Sequence, residues 1–324
     1  MQEAPLLQVE DLKTYFFTRR GVVKAVDGVS FSVAAGETLG IVGESGSGKT
    51  MTSLSLLRLV PQPGGKIAGG KIVFEGIDLL GLTEKEMRDY RGGKISMILQ
   101  DPMASLNPVF TIGEQVAEPL RRHQHLSGQR LWDKTIEALR LLRIPSPQER
   151  LRNYPHELSG GMRQRVVGGI AISCRPQLII ADEPTTALDA TIQAQYLALL
   201  KEVQRETNVA MIFVSHDFGI VARMCDRVAV MYAGKIVETA GVRELFNNPR
   251  HPYTIGLVDS VPRLDRKVER LASIEGQPPA LLNLPPGCRF APRCPHAFGP
   301  CLEQEPPPVP VGEQHFASCW RLTT

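Results

Sequence analysis

The stretch GESGSGKT, residues 43–50, decides the fold. It matches G-x-x-x-x-G-K-[ST], follows the apolar run TLGIV (38–42) and opens the helical pattern MTSLSLLRL (51–59). That strand–loop–helix setting is what a phosphate-binding loop requires. Gly43, Gly46 and Gly48 let the backbone approach phosphate oxygens with its N–H groups turned inward, and the helix adds its positive end. The expected nucleotide cradle is Gly43, Glu44, Ser45, Gly46, Ser47, Gly48, Lys49 and Thr50. Lys49 reaches the β- and γ-phosphates, and the Thr50 hydroxyl can ligate Mg²⁺.

Working outward, ISMIL (95–99), QLIIA (177–181), VAMIFV (209–214) and RVAVMYA (227–233) are further unbroken apolar runs. Such runs suit strands covered on both faces, and the helical patterns between them predict an α/β fold with a wound parallel sheet. In IEALRLLRI (136–144), Ile136, Leu139 and Leu142 are expected to share one helical face. The stretch 103–160 departs from this rhythm and reads as an inserted helical subdomain. YAGKIVETA (232–240) reads as a hairpin turning at Gly234. Beyond about 246 prolines crowd in, which predicts irregular, extended chain rather than packed sheet. The expected division is 1–245 and 246–324.

LIIADEPTTALD (178–189) supplies the counterpart of the phosphate loop. A buried strand delivers Asp182 and Glu183 to the carboxyl edge of the sheet, where ligands of such sheets collect. Asp182 is placed to hold Mg²⁺, and Glu183 to accept a proton from an attacking water.

Composition narrows the partners. With 37 basic and 34 acidic residues, the balance is too even to argue for nucleic acid. MQEAPLLQVEDLKTYFF, at the start, lacks the basic and apolar regions of an export signal, and no stretch reaches 18 apolar residues. Any work at a membrane then needs other chains to span it. Cys174 and Cys225 stand alone in apolar surroundings and read as inert core thiols.

LSGGMRQR (158–165), lying between the phosphate loop and LIIADEP, resembles the signature of ABC-type ATPases. Gln100 in SMILQDP is similar to that family's Q-loop, Asp189 in ALD to its D-loop, and His216 in FVSHD to its switch histidine. The resemblance implies an ABC-type core with a helical signature subdomain and an active site built by two chains. ATP on this chain's phosphate loop would be covered by the signature of a facing cassette. Ser159, Gly160 and Gly161, at a helix N-terminus, form an anion site suited to a neighbour's triphosphate. Glu183 would be the general base, with Lys49, Mg²⁺ and His216 stabilising the transferring group, and Gln100 contacting Mg²⁺ and the water. A ring from LKTYFF should stack on adenine; spacing favours Phe16, with Tyr15 as the alternative.

DNA-repair ATPases of this kind carry a long coiled coil and translation factors carry two cassettes, and this sequence has neither. QDPMASLNPVFTIGEQV (100–116) and NNPRHPYTIGLVDSVPRL (247–264) resemble the ATP-binding subunits of dipeptide, oligopeptide and nickel permeases, strongest for their D-type member. That resemblance implies a second, related ATPase, two membrane-spanning permeases, an extracellular solute-binding protein, and a place on the inner face of the membrane. A soluble ATPase regulator sensing iron or oxygen is the second reading.

GCRFAPRCPHAFGPC (287–301) fits the tail of the same subunits. Cys288, Cys294, Cys301 and Cys319 lack the tight pairs of most zinc sites. Four thiolates on a proline-stiffened segment suit a [4Fe–4S] cluster; zinc, or free or paired thiols, are the alternatives. The resemblance to the permease subunits favours the cluster, with a structural role. His296 and His315 are nearby donors expected to be solvated.

Overall fold

The structure, a computed structural model, describes residues 4–186, 188–261 and 273–323. They fall into two compact units, one formed by 1–33, 38–80 and 213–324 and the other by 34–37 and 81–212.

In the first unit, Leu7–Thr18 pairs antiparallel with Gly21–Val33 on one side and Gly65–Phe74 on the other, and Ile77–Asp78 completes a four-stranded sheet. Leu7, Val9 and Leu12 are buried while Gln8, Glu10 and Asp11 are exposed. The alternation slips where Asp11 takes φ 45°, and a bulge there leaves the Asp11 N–H bonded to the Ser30 hydroxyl at 2.9 Å. This antiparallel sheet is distinct from the wound parallel core that the apolar runs predict.

The remaining strands of this unit carry the phosphate loop. Thr38–Val42 runs parallel to Arg227–Tyr232, with Leu39 opposite Arg227 and Val42 opposite Val230. All of Thr38–Val42 is buried, as its unbroken apolar run required. The Asp226 carboxylate accepts from the Thr38 N–H at 2.8 Å and helps set that register. Lys235–Gly241 folds back on Arg227–Tyr232 as expected, with Ala233 and Gly234 both at positive φ in the turn. The tail departs from expectation. Val309–Gly312 and His315–Ala317 form a hairpin whose second strand pairs with Lys235–Gly241, Glu238 opposite Ala317. Pro310 sits on the outer strand, where no donor is needed. The tail therefore extends the sheet, and Pro252–Asp259 adds a helix.

In the second unit, Ile95–Ile98 runs parallel to Leu178–Asp182, Ile95 opposite Leu178. Helices Ile112–His123 and Gly128–Leu141 lie within the inserted stretch, and Gly160–Ile172 begins at its end. The first opens on a capping box between Thr111 and Glu114. Ala117, Leu120, Leu131 and Cys174 are buried together, with Leu126 and Trp132 packed against them. The helical face differs from the expected one. The helix ends at Leu141 and its buried positions are Leu131, Thr135, Ala138 and Leu139, so Ile136 is only half-buried and Leu142 is buried beyond the end. Strand Ala210–Ser215 is divided, residues 210–212 in the second unit and 213–215 in the first. Among the described residues no helix is long and apolar enough to cross a membrane.

Candidate nucleotide site

The phosphate loop closes over the N-terminus of helix Lys49–Leu56, with Gly48 left-handed at its cap (φ 106°). Gly43 must be glycine, because a Cβ there would come within 2.2 Å of the Met231 carbonyl. Nothing lies within 4 Å of a Cβ built on Gly46, so the loop's open face remains approachable there. Lys49 is buried, and its Nζ donates to the Gly43 carbonyl at 2.8 Å and the Glu44 carbonyl at 3.0 Å. The buried Ser47 hydroxyl has no protein partner. A cationic amine, an orphaned hydroxyl and an open glycine face at a helix N-terminus fit a polyphosphate. Thr50, the next residue, is exposed.

Glu44 is tied down by residues that the sequence reading did not connect to the loop. Its N–H donates to the Tyr253 hydroxyl at 2.9 Å, and its carboxylate takes both terminal nitrogens of Arg293, at 2.6 and 3.0 Å. No local signal could have found these partners, which are more than two hundred residues away in sequence. On the neighbouring strands, Tyr15 donates to Asp27, Asp27 also pairs with Arg289, and the Asp27 N–H donates to the Gly234 carbonyl at 2.9 Å. The Gly234 N–H in turn donates to the Ser47 carbonyl at 2.8 Å. The Phe16 ring lies beside Gly65, 2.9 Å from where a Cβ on that glycine would be. His216 follows the end of strand Ala210–Ser215 and is exposed.

In the second unit, Asp182 ends strand Leu178–Asp182 and is buried. Glu183 adopts φ 45°, an unfavourable left-handed conformation for a residue with a side chain, and such outliers concentrate at functional sites. Its Oε2 accepts from Gln100 Nε2 and from the Thr186 hydroxyl, both at 3.0 Å. Two donors on one oxygen fix the carboxylate's direction. Ser159 caps helix Gly160–Ile172, its hydroxyl accepting from the Met162 N–H at 3.4 Å. Ser159 and Gly160 are exposed, and a Cβ on Gly161 would come within 2.8 Å of Ile192 Cγ2. From the same helix, buried Gln164 donates to the Pro184 carbonyl at 2.7 Å and so braces the residue after Glu183. Asp189 caps helix Ala190–Thr207 through the Thr191 and Ile192 N–H groups. Ala187 lies outside the described residues, as do 262–264 at the end of the second permease-like stretch.

The four tail cysteines line one small cavity together with His251, Phe290 and His296. The Cys288 N–H donates to the Cys301 carbonyl at 2.8 Å, and Gly287 allows this approach, since a Cβ there would lie 2.3 Å from that carbonyl. No disulfide is formed. Burial pushes the Cys288 thiol up to about 11 and raises Cys294 and Cys319 as well. The expected metal-ligating arrangement is not formed: among the described residues no three or more His, Cys, Asp or Glu side chains are placed to hold a metal ion. His315 is also unlike its expectation. It is fully buried, with Nε2 2.7 Å from the Glu238 carboxylate, because the hairpin covers it. Cys174 and Cys225 are buried as expected.

A cavity of about 510 Å³ in the first unit is bordered by Ser30, Lys235, Glu238, Arg289, Glu305 and Phe316. Of its charged residues, Lys235 and Arg289 pair with Glu305, and the Glu238 carboxylate lies 2.7 Å from His315 Nε2. None of the residues lining it belongs to the phosphate loop.

Residues 26–186 match the ABC transporter family, and residues 237–301 match the C-terminal region of oligopeptide/dipeptide transporters. A probable peptide ABC transporter ATP-binding protein of Sinorhizobium fredii is 51% identical, covering 98% of this chain and 95% of its own. The oligopeptide transport ATP-binding protein of Bacillus subtilis is also 51% identical, covering 98% of this chain and 89% of its own. The dipeptide transport ATP-binding protein of the same organism is 50% identical over 97% of this chain and 94% of its own. Among solved structures, a dimeric ATP-binding cassette in a post-hydrolysis state bound to ADP and phosphate superposes with a TM-score of 0.65. That cassette is 25% identical, and the match covers 73% of this chain and 99% of that one. The chain therefore belongs to the ABC transporter ATPases, in the family of oligopeptide and dipeptide transport ATP-binding proteins.

Proposed function

We propose that this chain hydrolyses ATP to power the import of peptides, or of related small solutes, through a membrane permease complex. The observation that carries this is the phosphate loop, with buried Lys49 folded against its own carbonyls at the head of a helix. ATP would lie along residues 43–50. Thr50, Gln100 and Asp182 would hold Mg²⁺, which neutralises charge on the β- and γ-phosphates when bound. Glu183 takes a proton from the attacking water, and Lys49 and His216 stabilise charge on the transferring group. The fixed direction of the Glu183 carboxylate and its strained backbone support this role. Phe16 would stack on the adenine ring, with Tyr15, whose partner Asp27 belongs to the hydrogen-bonded path that reaches Ser47, as the alternative.

Ser159, Gly160 and Gly161 would cover ATP bound to a second cassette, with Asp189 near the same seam. Exposure of Ser159 and Gly160 at a helix N-terminus supports this, as does the dimeric state of the similar cassette. The assembly would comprise a related second ATPase, two permeases and a solute-binding protein, with this chain on the inner membrane face. Leu99, next to Gln100 in the chain, and Val109 and Phe110 are exposed and would offer apolar surface to a permease segment. Residues 1–245 act as the ATPase domain and 246–324 as the extension, in keeping with the two family matches.

All four tail thiols line one cavity, and a finer reading, a structural [4Fe–4S] cluster with zinc as the alternative, would require their sulfurs to close together from the positions seen here. Iron and acid-labile sulfide in anaerobically purified protein should then fall in Cys294→Ser; equal iron in both proteins would refute the ligand set. For the ATPase itself, Glu183→Gln should bind ATP yet lose at least about a hundredfold in hydrolysis. Retained turnover would exclude Glu183 as the base.

A further inference from the structure

Glu44, the second residue of GESGSGKT, is held at its N–H, its carbonyl and its carboxylate. Its carbonyl receives Lys49 Nζ at 3.0 Å, its N–H is spent on Tyr253, and its carboxylate is gripped by Arg293. Both gripping residues come from the extension. The Tyr253 ring is buried, tilted against Tyr232 and Phe290 with centroids 4.6 and 5.4 Å away. The Arg293 side chain is only 3% exposed, and every donor nitrogen is used. Nε donates to the Glu275 carbonyl at 2.9 Å, Nη2 also to the Ile274 carbonyl at 3.2 Å, and Nη1 also reaches the Tyr232 hydroxyl at 3.4 Å. The guanidinium lies over the Tyr232 and Phe290 rings, 5.8 and 6.0 Å from their centroids. This is a built socket, and a bidentate pair with so few remaining degrees of freedom fixes position as well as energy.

We propose that Tyr253 and Arg293 are positioning residues of the nucleotide site: the C-terminal extension clamps the phosphate loop at Glu44 and thereby sets the chain's affinity for ATP. The proposal rests on the reading of residues 43–50 as the ATP site. Two facts separate the clamp from general packing. It acts on the loop itself, at the residue whose carbonyl carries Lys49, and it acts through groups that can be removed one at a time. Without it the loop must be ordered by the nucleotide at binding, and that ordering lowers affinity without altering the groups that carry out hydrolysis.

The test uses the purified full-length chain with a fluorescent ATP analogue, and ATPase kinetics in its assembled complex. Arg293→Gln should weaken analogue binding about tenfold and Tyr253→Phe about threefold, each raising KM with kcat within about twofold. Arg293→Lys, which keeps charge but not the fork, should recover part of the loss. Glu44→Gln combined with Arg293→Gln should be no worse than the poorer single variant. If wild type fails to bind the analogue, the nucleotide reading itself falls. If wild type binds and the folded variants bind equally well, or lose melting temperature with KM unmoved, the clamp is refuted. Should Arg293→Gln not fold, Tyr253→Phe, which removes one oxygen from a buried ring, decides the matter alone.

Discussion

Replacing Arg289 by Met removes the cation that ties the tail to the first sheet. The Arg289 side chain is 5% exposed and that of Asp27, its partner, 11%. Arg289 also donates to the Ala233 carbonyl and lies 3.3 Å from Glu305. Met fills the volume but, among the described residues, leaves the Asp27 carboxylate buried with the Tyr15 hydroxyl donating to it and Lys24 3.9 Å away. Breaking one side of a buried pair costs about 3–5 kcal/mol, a large share of a typical domain's 5–15. The cost must depend on pH. In the intact protein burial raises the Asp27 pKa, but the Tyr15 and Arg289 hydrogen bonds outweigh it and hold the group below its ordinary 3.8. That contribution is present above about pH 4 and is lost as pH falls through the depressed value. In Arg289→Met burial meets less opposition, so the deficit is greatest at neutral pH and shrinks as acid protonates Asp27. Urea unfolding followed by circular dichroism at pH 7.5 and 3.5 measures this, and Asp27→Asn in the Met background should restore about half of the loss. A deficit below about 1 kcal/mol, or one equal at both pH values, would refute the reasoning.

Two further perturbations probe the same architecture. His251 is fully buried and caps helix Pro252–Asp259, Nδ1 accepting from the Tyr253 N–H at 3.0 Å; burial lowers its pKa from 6.5 to about 3. The unfolded chain therefore gains a proton below about pH 6.5 that the folded chain refuses until about pH 3, costing about 2 kcal/mol by pH 5. His251→Asn keeps a capping acceptor and should flatten that slope, whereas identical slopes would contradict it. Gln164→Leu strips the buried Pro184 carbonyl of its donor and should cost about 1–3 kcal/mol, with hydrolysis reduced through the displaced Glu183 segment. Full stability and full activity together would show that Gln164 braces nothing.

What could be read from the sequence was whatever the backbone encodes locally. GESGSGKT, LIIADEP, LSGG and FVSHD each place a turn at a strand end or helix start, and Gly48, Glu183, Ser159 and His216 lie at such places. The antiparallel sheet was harder, because bulges near Asp11 and Thr14 break the alternation of Leu7–Thr18. The tail hairpin was hidden by its brevity and by Pro310, which reads as a breaker yet sits harmlessly on an outer strand. His315 looked solvated because nothing near it in sequence indicates that a hairpin will press it onto Glu238. Cysteine number and spacing brought four thiols to one cavity but could not supply the placement of their sulfurs. The contacts of Glu44 with Tyr253 and Arg293 span the whole domain, and only tertiary packing makes them.

The most direct measurement is ATP turnover per chain, for the assembled ATPases, across a hundredfold dilution with oligomeric state followed by light scattering. Hydrolysis shared between two cassettes predicts that turnover falls in step with dissociation, and that Ser159→Arg in one cassette silences the loop of the other. Undiminished turnover by a demonstrably monomeric chain would contradict the account.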